Sequence, residues 1–418
     1  MADANYGYGY PFFHFYAPLS VLVSALLRLA GFSLAHAVES SQLLGFALAG
    51  WSAFHLGRRW LGGAPAGLLA SAAYTLAPFH LVNVYVRGDS LAEFWAMAFY
   101  PAVLLAADRL LRPGPNGAPR PVRGAAWLGL AYAGLVLSHN ISALIFTPFL
   151  LLYLALLGHA AGGRRLAWAG AGLLLGLILS AWFWLPALAE RNLAQLGPVT
   201  AGYFHYSGHF RGLDLIQRSP LFDYEVAGGA AFRMGLAQAA LTAAGLLALA
   251  VSLLAGRKRR RPAYLFMLLG LGISTLMFTP ASRPLWDRLP LLAFAQFPWR
   301  FLSVQALFGA LAVGLLALLP GRRLVAPAAL LLLALAAFGR LQTESLLLGE
   351  ADLTPERLAA YEWFSANIGS TVSAEYLPPS VQTRPYTSPW LNAGRRDQVI
   401  VLAGSLSDAA LVERATGR

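Results

Sequence analysis

Long apolar runs recur through the chain with almost no charge inside them, at residues 39–57, 64–82, 91–111, 124–138, 141–158, 166–188, 231–255, 262–279, 301–319 and 324–340. Most approach the roughly 20 residues that a helix needs to cross about 30 Å of hydrocarbon. A charge at the centre of a bilayer costs roughly 2.5–3.5 kcal/mol on insertion scales, so charges collect at interfaces or in wet cavities. Of 418 residues, 58% are hydrophobic and only 12% charged, which excludes a soluble globule with a large core. The fold class is therefore an all-α polytopic membrane protein with about ten transmembrane helices.

The formal charge of +12 raises nucleic acid as a partner, but its placement argues otherwise. Fifteen basic residues fall in five clusters between apolar runs: Arg58-Arg59; Arg109, Arg112, Arg120 and Arg123; Arg164-Arg165; Arg257 to Arg261; and Arg322-Arg323. Asp108 is the one acid among them. Such an excess in short loops reports topology, with these loops cytoplasmic, and the partner it implies is the lipid bilayer rather than a polyanion. The absence of cysteine excludes disulfides and thiolate metal sites.

If Arg58-Arg59 face the cytoplasm, every second loop after them is basic, and loop 83–90 lies outside. Residues 1–38 then form an extracytoplasmic loop and a juxtamembrane helix. In it, 19–34 lies on the outer face with Arg28 reaching to the surface. Residues 39–340 form the transmembrane domain, and 341–418 an extracytoplasmic soluble segment. Both ends of the chain are outside. In the last segment, Thr354-Pro-Glu-Arg starts a helix that ends near Gly369, and 371–379 and 398–402 read as strands of a small α/β or β domain. Those strands are too few for an independent sheet, so the chain looks cut there.

Within loop 83–90 and the start of the next run, Asn83-Val-Tyr-Val-Arg-Gly-Asp-Ser-Leu-Ala-Glu93 places Arg87, Asp89 and Glu93 within seven residues. Two readings stand side by side. Ser90-Leu-Ala-Glu93 fits a capping box, with Glu93 reaching back to a helix start. Alternatively, Asp89 and Glu93, spaced i, i+4, present two carboxylates on one face beside Arg87. A divalent metal ion held by Asp89 and Glu93 is weakly supported by this pattern, and no HExxH or tight His/Asp spacing demands a metal. The parity puts His14, His80, His139, His205 and His209 on the same outer side, with Glu190, Asp214, Asp223, Glu225 and Asp287. An outer cavity lined by these groups is the natural site.

Two further loops carry alternatives. Gln296-Phe-Pro-Trp-Arg300 enters a span, and Trp with Arg is either an interfacial anchor or, through the guanidinium fork of Arg300, a clamp for a lipid-linked phosphate. Ser138-His139-Asn140 is either a plain hairpin turn or a polar group facing the same cavity.

With these residues in view, the chain resembles a known family. The aromatic opening Tyr6–Pro18, the Arg-Gly-x-x-x-x-Glu pattern at 87–93, Gln-Phe-Pro-Trp-Arg at 296–300 and Glu-Tyr-Leu-Pro at 375–378 are similar to bacterial multi-spanning proteins called 6-pyruvoyl-tetrahydropterin-synthase-related. These in turn resemble membrane glycosyltransferases of the GT-C class. The pterin name does not carry over as an activity, since the histidine zinc cluster of the soluble synthase is absent from this pattern. The resemblance implies a GT-C-like helical bundle in the bacterial plasma membrane. It would move a sugar from a polyprenyl-phosphate donor to an acceptor at the outer face. It carries over Asp89 and Glu93 as catalytic, Arg87 and Arg300 as substrate-binding, and His14 and Tyr16 as part of the first-loop cavity wall, with His139 facing that cavity. The chain opens inside what the pattern makes the first outer loop, so the family's base is expected upstream of Met1. Readings from other classes are a transporter or flippase of lipid-linked glycans, and a noncatalytic cell-envelope protein.

Overall fold

A computed structural model describes residues 10–88, 90–112, 121–254, 261–342, 349–354, 356–357 and 375–380. The protein is a helical, multi-pass membrane protein. No strand occurs among the described residues, only one isolated bridge between Ile216 and Met234. Among the described residues five helices are long and apolar enough to cross a membrane: Ala64–Tyr85, Leu91–Leu111, Asn140–Gly158, Leu236–Leu254 and Pro298–Leu318. The number is seven if each of two bent pairs is one span. Gly163–Leu179 and Ala181–Ala189 meet at 69°, and Pro262–Met277 and Pro280–Arg288 at 92°.

Seven of the ten expected runs are accounted for in this way, and the other three are helices that fall short as spans. Leu34–Leu61 has 28 residues, but Ser40, Ser41, Gln42, Ser52 and His55 dilute its apolar run. Pro121–Ser138 has 18 and opens on Pro121 and Arg123. Arg323–Phe338 is short. A helix is present in the expected stretch as Leu19–Leu29, and its Arg28, half-exposed, pairs with Glu350 at 3.1 Å. In the tail, residues 375–377 form a turn, not a strand, while 398–402 and most of the expected helix after Thr354 lie outside the described residues.

Pro298–Leu318 is the centre of the bundle, with 94% of its apolar window buried by other parts of the protein. Around it pack Ala64–Thr75, Leu236–Leu254 and Arg261–Met277. Without water to drive helices together, close backbone approach by small residues takes on much of the work. A Cβ on Gly245 would stand 1.9 Å from the carbonyl oxygen of Ala312, so only glycine allows this contact. A Cβ on Gly172 would likewise stand 2.8 Å from the carbonyl oxygen of Ala125.

The turns sort to two ends. At one, Asp108 is fully enclosed and accepts from Arg59, Arg112, the Tyr153 hydroxyl and the Trp60 indole N–H, the last at 3.1 Å. Arg165 joins that end through the Leu111 carbonyl. At the other end lie the turn after Tyr85, the 138–140 turn, the 296–300 loop and the long 190–233 connection. Expected outcome: Gly245→Val lowers stability by about 1–3 kcal/mol, as overpacking does. It should appear as an earlier thermal unfolding midpoint of the detergent-purified protein, with Gly272→Val, which meets open space, near wild type.

Candidate functional site

The helix Pro78–Tyr85 stops where the N–H groups of Val86 and Arg87 both turn back to the Val82 carbonyl, at 3.0 and 2.7 Å. A turn follows, closed by Ser90 N–H to the Arg87 carbonyl at 2.8 Å, and the next helix starts at Leu91. Glu93 therefore sits in a first helical turn, where a carboxylate suits the positive end of the dipole. Its role is not capping. Ser90 makes no side-chain capping bond, and Glu93 Oε2 instead accepts from Arg87 Nη1 at 2.7 Å. The same Nη1 donates to Asn83 Oδ1 at 2.8 Å. Glu93 is 2% exposed, and its Oε1 has no hydrogen-bond partner among the described residues.

Arg300 comes from a stretch some two hundred residues further along the chain. Its Nε lies 3.6 Å from the same Glu93 Oε2. Pro298–Phe301 is a 3-10 turn leading into Leu302–Gly314, with proline in its first positions where the missing N–H costs nothing. Before it, Gln296 adopts φ 61°, the only non-glycine residue with positive φ among the described residues. Such a conformation costs on the order of 1–3 kcal/mol and persists only when its surroundings enforce it. Here they do: Gln296 Nε2 donates to the Val199 carbonyl at 2.8 Å, and its Oε1 accepts from Arg300 Nη1 at 2.9 Å. Arg300 Nη1 also donates to the Ala295 carbonyl at 3.1 Å.

Aromatic groups fix the second guanidinium. Arg87 lies 5.0 Å over the ring of Trp299, which also stacks with Phe232 at 4.2 Å and with Phe297 at 4.7 Å. Below, the Ser303 hydroxyl donates to the Arg300 carbonyl and lies 3.2 Å from the Tyr100 hydroxyl. His139, in the turn between Pro121–Ser138 and Asn140–Ala161, places Nδ1 2.8 Å from the Ser142 hydroxyl. Burial lowers its pKa to about 3; the Glu93 charge opposes that shift, and the Arg300 and Arg87 charges add to it.

Of the residues singled out from sequence, Arg87, Glu93, His139 and Arg300 thus share one electrostatic neighbourhood. His14 and Tyr16 make their contacts elsewhere. His14 Nε2 stands 3.1 Å from Glu190 Oε2, and Tyr16 stacks on Phe12 at 4.5 Å in a cluster with Tyr10, Tyr376 and Leu377. Asp89 lies outside the described residues. His80, expected at the outer edge of the run 64–82, is fully buried inside the Ala64–Tyr85 span, with Nδ1 3.0 Å from the Tyr74 carbonyl. His205 caps its own short turn through Ser207.

No group of three or more His, Cys, Asp or Glu side chains able to hold a metal ion occurs among the described residues. The immediate surroundings of Glu93 also repel a cation, since two guanidinium groups already lie within 3.6 Å of Oε2. Asn83, Trp299, Gln296 and Tyr100 are parts of the site that had no assigned role. Asn83, Gln296 and Trp299 stood inside the two notable stretches, whereas nothing distinguishes Tyr100 from any other aromatic in an apolar run. Compared with family models, curated proteins and solved structures, the chain matches none.

His139 yields a pH prediction. A histidine held neutral in the fold with a pKa near 3, against about 6.5 when unfolded, takes up protons on unfolding between those values. Its contribution is intact above about pH 6.5 and falls as pH drops toward 3. Expected outcome: the unfolding midpoint is lower at pH 5 than at pH 7.5, and His139→Gln narrows that difference.

Proposed function

We propose that this protein is a GT-C-like membrane glycosyltransferase. It would transfer a sugar from a polyprenyl-phosphate donor to an acceptor hydroxyl at the outer face of a bacterial plasma membrane. One observation carries the reading: two arginines from distant parts of the chain, Arg87 and Arg300, converge on a single enclosed carboxylate, Glu93. Two guanidinium groups beside one carboxylate leave a cationic locus suited to phosphate oxygens, for which a guanidinium fork is well shaped.

In the reaction, the acceptor oxygen bonds to the anomeric carbon while the carbon–oxygen bond to phosphate breaks. The electron pair leaves with the phosphate, where preorganised cations stabilise it. The acceptor's proton passes to a carboxylate. We assign that step to Asp89. Glu93, whose Oε2 is taken by Arg87, places the guanidinium groups, and His139 stands beside them as a neutral polar group. His14 and Tyr16 belong to a separate aromatic cluster near Glu190, and in this reading they would shape the acceptor's approach.

A transporter of lipid-linked glycans is the second reading. It draws on polar groups buried within the spans, namely His80, Gln238, Thr242 and Gln305. Turnover separates the two. Expected outcome: membranes containing the protein release polyprenyl phosphate from a polyprenyl-phosphate-linked hexose in the presence of acceptor, and Arg300→Gln and Arg87→Gln each lower the rate by about 100- to 1,000-fold, the usual cost of losing one preorganised donor. Variants that reach the membrane and turn over within a few-fold of wild type would remove the two arginines from the chemistry. Translocation of the intact lipid without sugar release would favour the transporter.

The cationic surroundings of Glu93 also predict the response to chelation. Expected outcome: EDTA leaves turnover unchanged, because guanidinium groups occupy the place where a divalent ion would act. Loss in EDTA with recovery in Mg2+ or Mn2+ would instead reinstate a metal bound through Asp89 and Glu93.

A further inference from the structure

At the end of the bundle opposite to Glu93, a groove of about 260 Å³ opens between the ends of Leu91–Leu111 and Asn140–Ala161 and the starts of Gly163–Leu179 and Arg261–Met277. Its wall is apolar, with Leu157, Ala161 and Pro262, and two arginines, Arg112 and Arg165, line it. Both are held in place. Arg165 Nη1 donates to the Leu111 carbonyl at 3.1 Å, and Arg112 donates through Nε to Asp108 Oδ1 at 2.8 Å.

Asp108 is the key to the charge. It is fully enclosed and engaged by Arg59, Arg112, Trp60 and Tyr153. Asp108 is paired with Arg59 and Arg112, and Arg165 is held by a backbone carbonyl, so these three arginines and one carboxylate carry two net positive charges. The sequence next to the groove residues adds no acid: 113–120 contains Arg120, and 255–260 contains Arg257, Lys258, Arg259 and Arg260.

We propose that this groove is a binding site for an anionic phospholipid, with the headgroup phosphate between Arg112 and Arg165. Two guanidinium groups at the mouth of an apolar slot between membrane helices match a phosphate that carries acyl chains. Basic pockets of this kind between helices take acidic headgroups. The slot admits a headgroup and no more, so the acyl chains run outside it, along helices that expose Leu151 and Leu265. The site is separate from the Glu93 cluster, and its occupancy does not depend on the proposed transfer reaction.

The full-length protein, stripped of lipid in detergent, is titrated with phosphatidylglycerol or phosphatidylcholine and read by native mass spectrometry. Expected outcome: phosphatidylglycerol is retained at least tenfold better than phosphatidylcholine, and Arg165→Gln removes that preference. Arg164→Gln, an exposed neighbour outside the groove, keeps it. Because Arg112 also serves Asp108, Arg112→Lys is the second variant, with weakened retention expected at an unchanged unfolding midpoint. Equal retention of the two lipids, or wild-type retention in Arg165→Gln, would overturn the proposal. Displacement of phosphatidylglycerol by millimolar inorganic phosphate would overturn it too, by showing a site for the free anion.

Discussion

An enclosed carboxylate needs cations beside it, and Glu93 has two. Taking either partner from a buried pair leaves an uncompensated charge, at a cost of about 3–5 kcal/mol. That penalty ties together parts of the chain that are otherwise far apart. The turn after Tyr85 supplies Arg87, a first helical turn supplies Glu93, and the loop into the central helix supplies Arg300. Several neighbouring features follow from holding those three groups. The stack of Phe232, Trp299 and Phe297 gives Arg87 a flat face to lie on. The strained Gln296 spans the gap between Arg300 and the long 190–233 connection at Val199. Strain of this kind is tolerated where it fixes a functional group.

The same rule operates at the opposite end around Asp108, with a different balance. There the acid is saturated by four side chains, two of them neutral, so the surplus charge stays with the arginines nearer the surface. Between the two ends the bundle is mostly apolar, with His80, Gln238, Thr242 and Gln305 buried in it, and is held by close approach of small residues, Gly245 on Ala312 and Gly172 on Ala125. The paired charges of Glu93 and Asp108 thus stand toward the ends, because an unpaired charge cannot be kept between them.

This confinement explains what could be read from the sequence. Alternation of basic loops was enough to place Arg87, Glu93, His139 and Arg300 at one end, and they do meet. The seven runs matched by single or bent helices were legible for the same reason. What failed were local inferences. Ser90-x-x-Glu93 has the pattern of a capping box, but an adjacent arginine outcompetes a backbone N–H for a carboxylate. His80 stood at the edge of an apolar run and was grouped with the outer polar residues, yet the helix Pro78–Tyr85 carries it inward. His14 and Tyr16 lie in a first loop whose folding is set by Glu190 and by Tyr376 and Leu377, and no local pattern predicts partners so distant. Asp108 was visible as the one acid among basic clusters, though its burial was not. A lone acid amid arginines is better read as their shared partner than as noise.

One helix joins these two ends. Leu91–Leu111 carries Glu93 in its first turn and Asp108 near its last, fifteen residues apart, or about 22 Å at 1.5 Å per residue. That distance is less than the roughly 30 Å of hydrocarbon, so at least one of the two acids lies within the apolar layer unless the bilayer thins around it. Both are pinned by arginines from other elements: Arg87 and Arg300 at one end, Arg59 at the other. Sliding the helix by a single residue would displace both carboxylates by about 1.5 Å and turn each by about 100°. Neither set of pairs survives that change, so the register of this helix is fixed twice. The Arg87–Glu93–Arg300 geometry is therefore held from the far side of the bundle as well as by its own contacts. A substitution at Asp108 would then reach the Glu93 cluster through the helix itself, with no shared neighbour needed between the two.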